Sequence, residues 1–456
     1  MQPFHFRSVA GFSATVAALF LAMTGCTVHP PGEREEKSLN ERLGKRYETP
    51  PELRMLPPLP DNPTPEQLVN FALLSNADLE QRYWQWRSAL EQVPQEGTQQ
   101  ANLMISYSTM ISNGTTAAGE NTIGAANGPM NSLVVPDKLK TAATIALENA
   151  KAAGKRFDKA RFELRNKVLW AYDDYALTAE FTRLEQNNLD LLELIVQVTR
   201  SRFGAGVGLQ QDLLKASNEL DISKDELAAL QSQLPQQRAR LNALLNRPPG
   251  SPLTPPAALP APRTVPGDEA DLLLLVARNN PELRALANET TAKAQAIRRA
   301  KQEYWPDIGV NVSTDLAGTA QSLMGSLMLP LLRYPSIDAR IRQAESDLHA
   351  NEALRRQTEN DLASRVVGDL AMLHDAQRQA ALYEQIIIPR AETIVSAMQR
   401  TYTTGQTSML DLVDAQRSLI TLRRMLADLK MTREKQIADL EAAAALGLTS
   451  DAAAQP

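Results

Sequence analysis

RFGAGVGLQQDLLKA, residues 202–216, is written a second time with changes as TYTTGQTSMLDLVDA, residues 401–415. In each copy an aromatic residue (Phe203, Tyr402) stands three before a glycine (Gly206, Gly405). An aspartate (Asp212, Asp411) stands six after that glycine. Both pairs are offset by 199 residues (405 − 206 and 411 − 212). A glycine between two helix-forming stretches suits the left-handed position that ends a helix. Thr407 or Ser408 is placed to cap the next helix, with Asp411 favouring its N-terminus. The two stretches read as tips of helical hairpins, over residues 203–209 and 402–408.

The flanks agree. From about Asp137 to Phe203 the only breaker is Gly154, which predicts roughly 100 Å of helix at ~1.5 Å per residue. A second such stretch runs from about Ser336 to Tyr402. After the first tip, Leu213, Leu220, Leu227, Leu234 and Leu241 stand seven apart, with Ala216 and Leu230 three beyond members of that series. After the second, Leu412, Leu419 and Leu426 do the same, with Ala415, Leu422 and Leu429 three beyond. This spacing makes a narrow apolar seam and a left-handed coiled pair. Pro235 is expected to kink the first return helix.

Ahead of each long helix the period changes from helical to alternating. Leu103, Ile105, Tyr107 and Ile111 alternate with Met104, Ser106, Ser108, Met110 and Ser112. Ile308, Val310 and Val312 alternate with Gly309, Asn311, Ser313 and Asp315, and Leu323, Leu327 and Leu329 with Met324, Ser326 and Met328. Strands apolar on one side and small-polar on the other fit a lipid-facing, water-lined β-barrel. A soluble sandwich edge would alternate in the same way. Four strands are too few to enclose a channel, since about eight already fill with side chains. Several chains must share one barrel, in a number that this pattern leaves open.

The chain is thus a large unit written twice. LVNFALLSNADL (68–79) parallels LLLLVARNNPEL (272–283), and SLVVP (132–136) parallels SLMLP (326–330). We divide it into a signal peptide (1–25), a proline- and charge-rich extended strap (26–65), a first repeat (66–250), a proline-rich linker (251–268), a second repeat (269–449) and a tail (450–456). The β-hairpins are expected at 101–136 and 306–330, the first closed by the polar loop NGTTAAGENTIGAANGP. The fold class is mainly α with a small β part: long coiled-coil hairpins plus four transmembrane strands per chain, in two pseudo-symmetric repeats.

The N-terminus carries Arg7, an apolar run from Val9 to Met23, and small residues before the single cysteine, Cys26. That is a secretory signal pattern, and with its cysteine it resembles a bacterial lipoprotein lipobox. The resemblance makes Cys26 the acylated (palmitate-bearing) first residue of the mature chain, and Thr27 after it implies outer-membrane sorting. A net charge of −5 without a Lys/Arg cluster gives no sign of nucleic-acid binding. Four scattered histidines and one cysteine predict no metal site and no cofactor.

RFGAGVGLQQD, YTTGQTSMLDLVDA, NNPEL and WPDIGVNV together resemble the TolC-like outer-membrane efflux factors, over nearly all the chain after about Pro65. The resemblance implies a homotrimer with a twelve-stranded barrel in the outer membrane. It implies a helical tunnel in the periplasm that meets an adaptor protein and an inner-membrane pump. Asp411 and Asp414 match paired aspartates that ring the tunnel mouth, and Asp212 and Tyr402 match a link that holds it closed. The family's second link uses an arginine where this chain has Thr407. Gly206, Val207, Gly208, Leu209 and Gly405 fall on the adaptor-docking tips. In plain physical terms, Asp411 is also a helix-cap residue, Asp414 a solvated face, and the glycines turn formers.

No nucleophile elbow, phosphate loop or histidine–carboxylate cluster supports an enzyme. A non-conducting lipoprotein scaffold would explain the helices and anchor but not duplicated amphipathic strands. Substrate is not legible. Met104, Met110, Met324 and Met328 on the polar strand faces invite a soft-metal reading, though methionine is also a plain gap filler.

Overall fold

The computed structural model describes residues 27–446, apart from 100, 109–110, 113–114, 117–119, 128–133, 264, 266–267, 316–320 and 405. Cys26 and Gly405 lie outside the described residues. The chain divides into two compact units. The first comprises Met1–Lys45, Arg82–Arg156 and Glu282–Gln357, and the second Arg46–Gln81, Phe157–Pro281 and Thr358–Pro456.

The elements in chain order are α1 (Glu33–Gly44), α2 (Pro65–Ser75), α3 (Ala77–Gly97), β1 (Ala101–Ser108), β2 (Ile111–Ser112), β3 (Thr115–Thr116), β4 (Glu120–Asn127), α4 (Pro136–Gly204) and α5 (Gln210–Leu244). The second half gives α6 (Glu269–Asn279), α7 (Pro281–Lys301), β5 (Asp307–Asp315), β6 (Gln321–Met328), α8 (Tyr334–Leu382), α9 (Ile388–Thr403) and α10 (Met409–Ala444). No described helix is long and apolar enough to cross a membrane.

In the first unit four strands form an antiparallel sheet, ordered β1-β4-β5-β6, so hairpins from both repeats lie side by side, while β2 and β3 pair with each other. Its register sets positions Leu103, Ala125, Val312 and Leu323 in one row and Met104, Gly124, Ser313 and Ser322 in the next. The two chemistries read from the sequence therefore segregate to opposite sides of the whole sheet. Ile308 and Leu327, paired on the apolar side, are half or more exposed. β1 and β6 each pair on one side only among the described residues, so the sheet is open at both edges. An open apolar sheet is stable in lipid only when its edges pair with another chain.

The return strand of the first hairpin lies elsewhere than expected. ENTIGAAN, read as polar loop, is β4, and residues 134–135 after it are irregular. The outermost described pair of this hairpin is Ala101 with Asn127. Its glycine, asparagines and alanines carry little strand preference of their own. Pairing of Ile123 with Ile105 and of Ala125 with Val312 fixes the strand instead, a tertiary effect that intrinsic preference does not contain.

The strap is likewise not wholly extended. α1 starts after Gly32, whose φ is +90°, and its first turn carries Glu33, Glu35 and Glu36, which favour a helix N-terminus. Buried Glu33 is held by His29 at 2.9 Å and Lys37 at 2.8 Å. α1 lies close against the chain through two glycines. A Cβ on Gly44 would come within 1.8 Å of the Tyr83 ring, and one on Gly154 within 2.8 Å of Glu36 Oε1 and Trp86. Gly154, which the sequence offered as a helix breaker, sits inside an unbroken α4. Trp86 Nε1 donates to Glu36 Oε1 at 3.1 Å.

In the second unit α6 packs Leu272 and Val276 against Val366, Leu370 and Leu373 of α8 and Ile437, Leu440 and Ala444 of α10. The two lead-in helices end alike. Asn76 donates to the Leu244 carbonyl at the end of α5, and Asn280 to the Ala443 carbonyl near the end of α10, each at 2.9 Å. The proline-rich linker is docked, with Leu253 buried and its carbonyl accepting from the Tyr175 hydroxyl at 2.9 Å. The second long helix is interrupted between α8 and α9 by a π-helical turn, Tyr383–Ile387. Pro389 explains it: proline lacks the donor and its ring clashes with the carbonyl four residues before, which the wider turn relieves. α5, by contrast, continues through Pro235 to Leu244, with seam residues Leu227, Leu230 and Leu241 buried on both sides of it.

This unit also buries carboxyls. Burial, then the Glu434 charge, pushes the Asp173 carboxyl up to about 7 against Arg263 and Lys435. Burial and neighbouring Asp439 push Asp369 up to about 6. A carboxyl raised above its unfolded value of about 3.9 favours the folded state only while protonated. Its contribution is full below about pH 4 and is lost as pH rises through about 7. Asp173→Asn is expected to flatten the fall in thermal midpoint between those limits, as read by unfolding scans across the range.

Candidate functional site

The hairpin tips close on each other in the second unit. α4 ends at Gly204, and Gly206 takes a φ of +74°, a conformation that costs glycine little. The Val207 and Gly208 amides both donate to the Arg202 carbonyl at 3.0 Å, and a Cβ on Gly208 would meet Phe203 N at 2.9 Å. The turn thus requires glycine at both places and projects Val207 and Leu209, 70% and 59% exposed. At the second tip Ser408 caps α10. Its hydroxyl accepts from the Asp411 amide at 3.2 Å and donates to Asp411 Oδ2 at 2.8 Å. Asp212 occupies the corresponding place in the first turn of α5. Asp411 and Asp414 are both exposed, and their spacing of three sets them on one face of α10.

Tyr402 is buried in an apolar cluster with Leu192, Ile195, Val196, Ala216, Met409 and Leu412, which joins both hairpins. Its hydroxyl lies 2.9 Å from Thr199 Oγ1, not against Asp212. Arg202 donates to the Tyr402 carbonyl at 2.6 Å, and its guanidinium lies 5.0 Å from the centre of the Tyr402 ring. So where the resemblance leads one to expect an arginine on the second hairpin, Thr407 bonds Thr401 at 2.6 Å within its own loop, and the arginine that crosses to Tyr402 comes from the first hairpin.

Farther along the hairpins lies a ladder that motif reading missed. Arg417 is bidentate to Glu219, at 2.5 and 2.6 Å from Nη2. One heptad on, Arg424 pairs with Glu226 and, at 2.6 Å, with Glu185. The Glu185 side chain is only 2% exposed and also accepts from Ser223 at 2.5 Å and Asn188 at 3.1 Å. The signal was present: Glu219 and Glu226 stand seven apart on one return helix, and Arg417 and Arg424 seven apart on the other. Among the described residues no group of three or more His, Cys, Asp or Glu could hold a metal ion.

An alternating antiparallel sheet with open edges, joined in one chain to duplicated helical hairpins, fits the class of channel-forming outer-membrane proteins. Residues 68–247 and 272–446 match the outer membrane efflux protein family, and the chain belongs to it. That family consists of transport ducts rather than enzymes. Nodulation protein T of Rhizobium leguminosarum bv. trifolii is 25% identical over 294 residues, which is 60% of this chain and 62% of that relative. Among solved structures, the open state of the Neisseria gonorrhoeae MtrE outer membrane channel has a TM-score of 0.74 at 20% identity, covering 84% of this chain and 89% of that one. The outer-membrane channel OprN gives 0.72 at 19% identity, with 89% and 92% covered. CusC, described with transmembrane channel formation, gives 0.73 at 19% identity, with 83% and 91% covered. These likenesses establish the fold, and the family places the chain among the outer membrane efflux proteins.

Proposed function

We propose that three copies of this chain pool their sheets into one barrel and their hairpins into one tunnel. The result is a duct that carries substrates from an inner-membrane pump and a periplasmic adaptor to the exterior. The observation that carries this reading is the open-edged four-stranded sheet with all its apolar rows on one side. Homologous channels are trimeric and work with such partners, which supports it further. Cys26 would carry the acyl anchor in the outer membrane. The exposed tip around Gly206, Val207, Gly208 and Leu209, with Gly405, would dock the adaptor. Asp411 and Asp414 from three chains would set six carboxylates around the mouth, attracting cations and repelling one another. Tyr402, held by Thr199 and Arg202, would keep that mouth closed.

Planar-bilayer recording of the purified protein tests the reading. It is expected to conduct with a preference for cations. In Asp411→Ala/Asp414→Ala that preference is expected to fall by roughly tenfold, read from the reversal potential in a salt gradient. A correctly assembled protein that passes no current would be the non-conducting scaffold instead.

A further inference from the structure

Where β5 and β6 meet the helices, the first unit holds a cavity of about 230 Å³ lined by Lys138, Arg299, Trp305, Met328, Leu329 and Arg333 among others. Its charges do not cancel internally. Lys138, almost wholly buried, is committed to Asp307 at 2.7 Å and to the Trp305 carbonyl at 3.1 Å. Arg340, also on its wall, is committed to Glu303 at 2.6 Å. Arg299 and Arg333 have no carboxylate partner among the described residues. Beside them the surface is apolar and uncovered: Leu329 and Leu331 are more than half exposed and Leu332 is 98% exposed. Trp305 is 54% exposed, and Tyr304 and Tyr334 pack 5.6 Å apart nearby. Leu329 also lies two residues past Leu327, in line with the apolar side of the membrane sheet.

Aromatic rings, unneutralised guanidiniums and bare leucines in one place, at the end of a membrane strand, match the three layers of a bilayer surface. Tryptophan and tyrosine sit at headgroup depth. Arginine grips phosphate by a planar fork. A basic pocket at that depth recognises anionic headgroups. We propose that this cavity binds the phosphate of an anionic glycerophospholipid, with its acyl chains along Leu329, Leu331 and Leu332. The proposal rests on the reading that the helices extend on the periplasmic side of the sheet, where the leaflet is phospholipid. The site would fix the depth and tilt of the barrel through lipid rather than through protein.

The test uses the full chain in phosphatidylcholine vesicles containing an equal fraction of brominated phosphatidylglycerol or brominated phosphatidylcholine. Trp305 fluorescence is taken as the difference between the protein and Trp305→Phe. Brominated phosphatidylglycerol is expected to quench it as if enriched roughly 25-fold over phosphatidylcholine, at about fivefold for each of the two arginines. Arg299→Gln/Arg333→Gln is expected to bring the two lipids to parity. Equal quenching in the parent protein overturns the proposal. So does displacement by inorganic phosphate, which would make this a plain anion site. An environment-sensitive dye on Leu327→Cys reports insertion separately. Dye in lipid with Trp305 unquenched means a neighbouring copy covers the cavity and overturns this inference alone. Dye in water overturns the membrane reading as well.

Discussion

Glu441→Gln is expected to lower stability by about 3–5 kcal/mol, the range for breaking a buried ion pair from one side. The Glu441 side chain is 0% exposed and meets Arg165 Nη1 at 2.6 Å and Arg263 Nη1 at 3.1 Å. Those two guanidiniums come from α4 and from the proline-rich linker, so one carboxylate ties three parts of the second unit together. Arg263 keeps Glu434, at 2.8 Å from its Nε, whereas Arg165 has no other partner of that kind among the described residues. The double variant Glu441→Gln/Arg165→Gln should therefore cost less than the sum of its parts, since it removes the stranded charge together with its partner. Denaturant unfolding in detergent measures both. A loss below about 1 kcal/mol, the range of an exposed pair, would show that the linker is held by packing instead.

Arg424→Glu is expected to open the proposed duct. The substitution sets a third carboxylate against buried Glu185 and against Glu226, and removes the rung that joins α5 to α10. A bias of about 2–3 kcal/mol toward separated hairpins multiplies the open population by roughly 30–150-fold. Arg417→Glu is expected to do much less, because Arg417 is 59% exposed and surface pairs contribute only ~0–1 kcal/mol. Adding Glu226→Arg to Arg424→Glu restores one rung and should return conductance toward the parent level. Unchanged conductance in an Arg424→Glu channel that still assembles would remove the ladder from the gating account.

What the sequence disclosed, and what it hid, follows from the range of the interactions involved. The long helices, their seams and the tips were legible because spacing by seven and paired glycines are local signals. The apolar and polar strand faces were legible for the same reason. β4 was not, because ENTIGAAN is a strand only by virtue of its neighbours. α1 was hidden by the prolines around it, and its close seat depends on its own Gly44 and on Gly154 far along the chain. Pro389 marks the π-helical turn although proline inside a helix is a clear local signal, while Pro235, expected to kink α5, lies within a helix that continues from Gln210 to Leu244. At the tips, Asp411 was visible both as a cap and as a mouth residue, and the cap is the geometry observed. Arg202 lay inside the opening motif, yet its reach to Tyr402 depends on how the two hairpins pack.

The central claim is that identical chains complete each other's sheet around a lumen. Electron cryo-microscopy of the purified assembly in lipid nanodiscs tests it most directly. The account predicts a threefold particle with twelve strands closing one barrel, β6 of each chain paired to β1 of the next, and a hollow continuing between the hairpins. A particle of one chain, or a sheet that closes on itself in water with no passage through it, would contradict it.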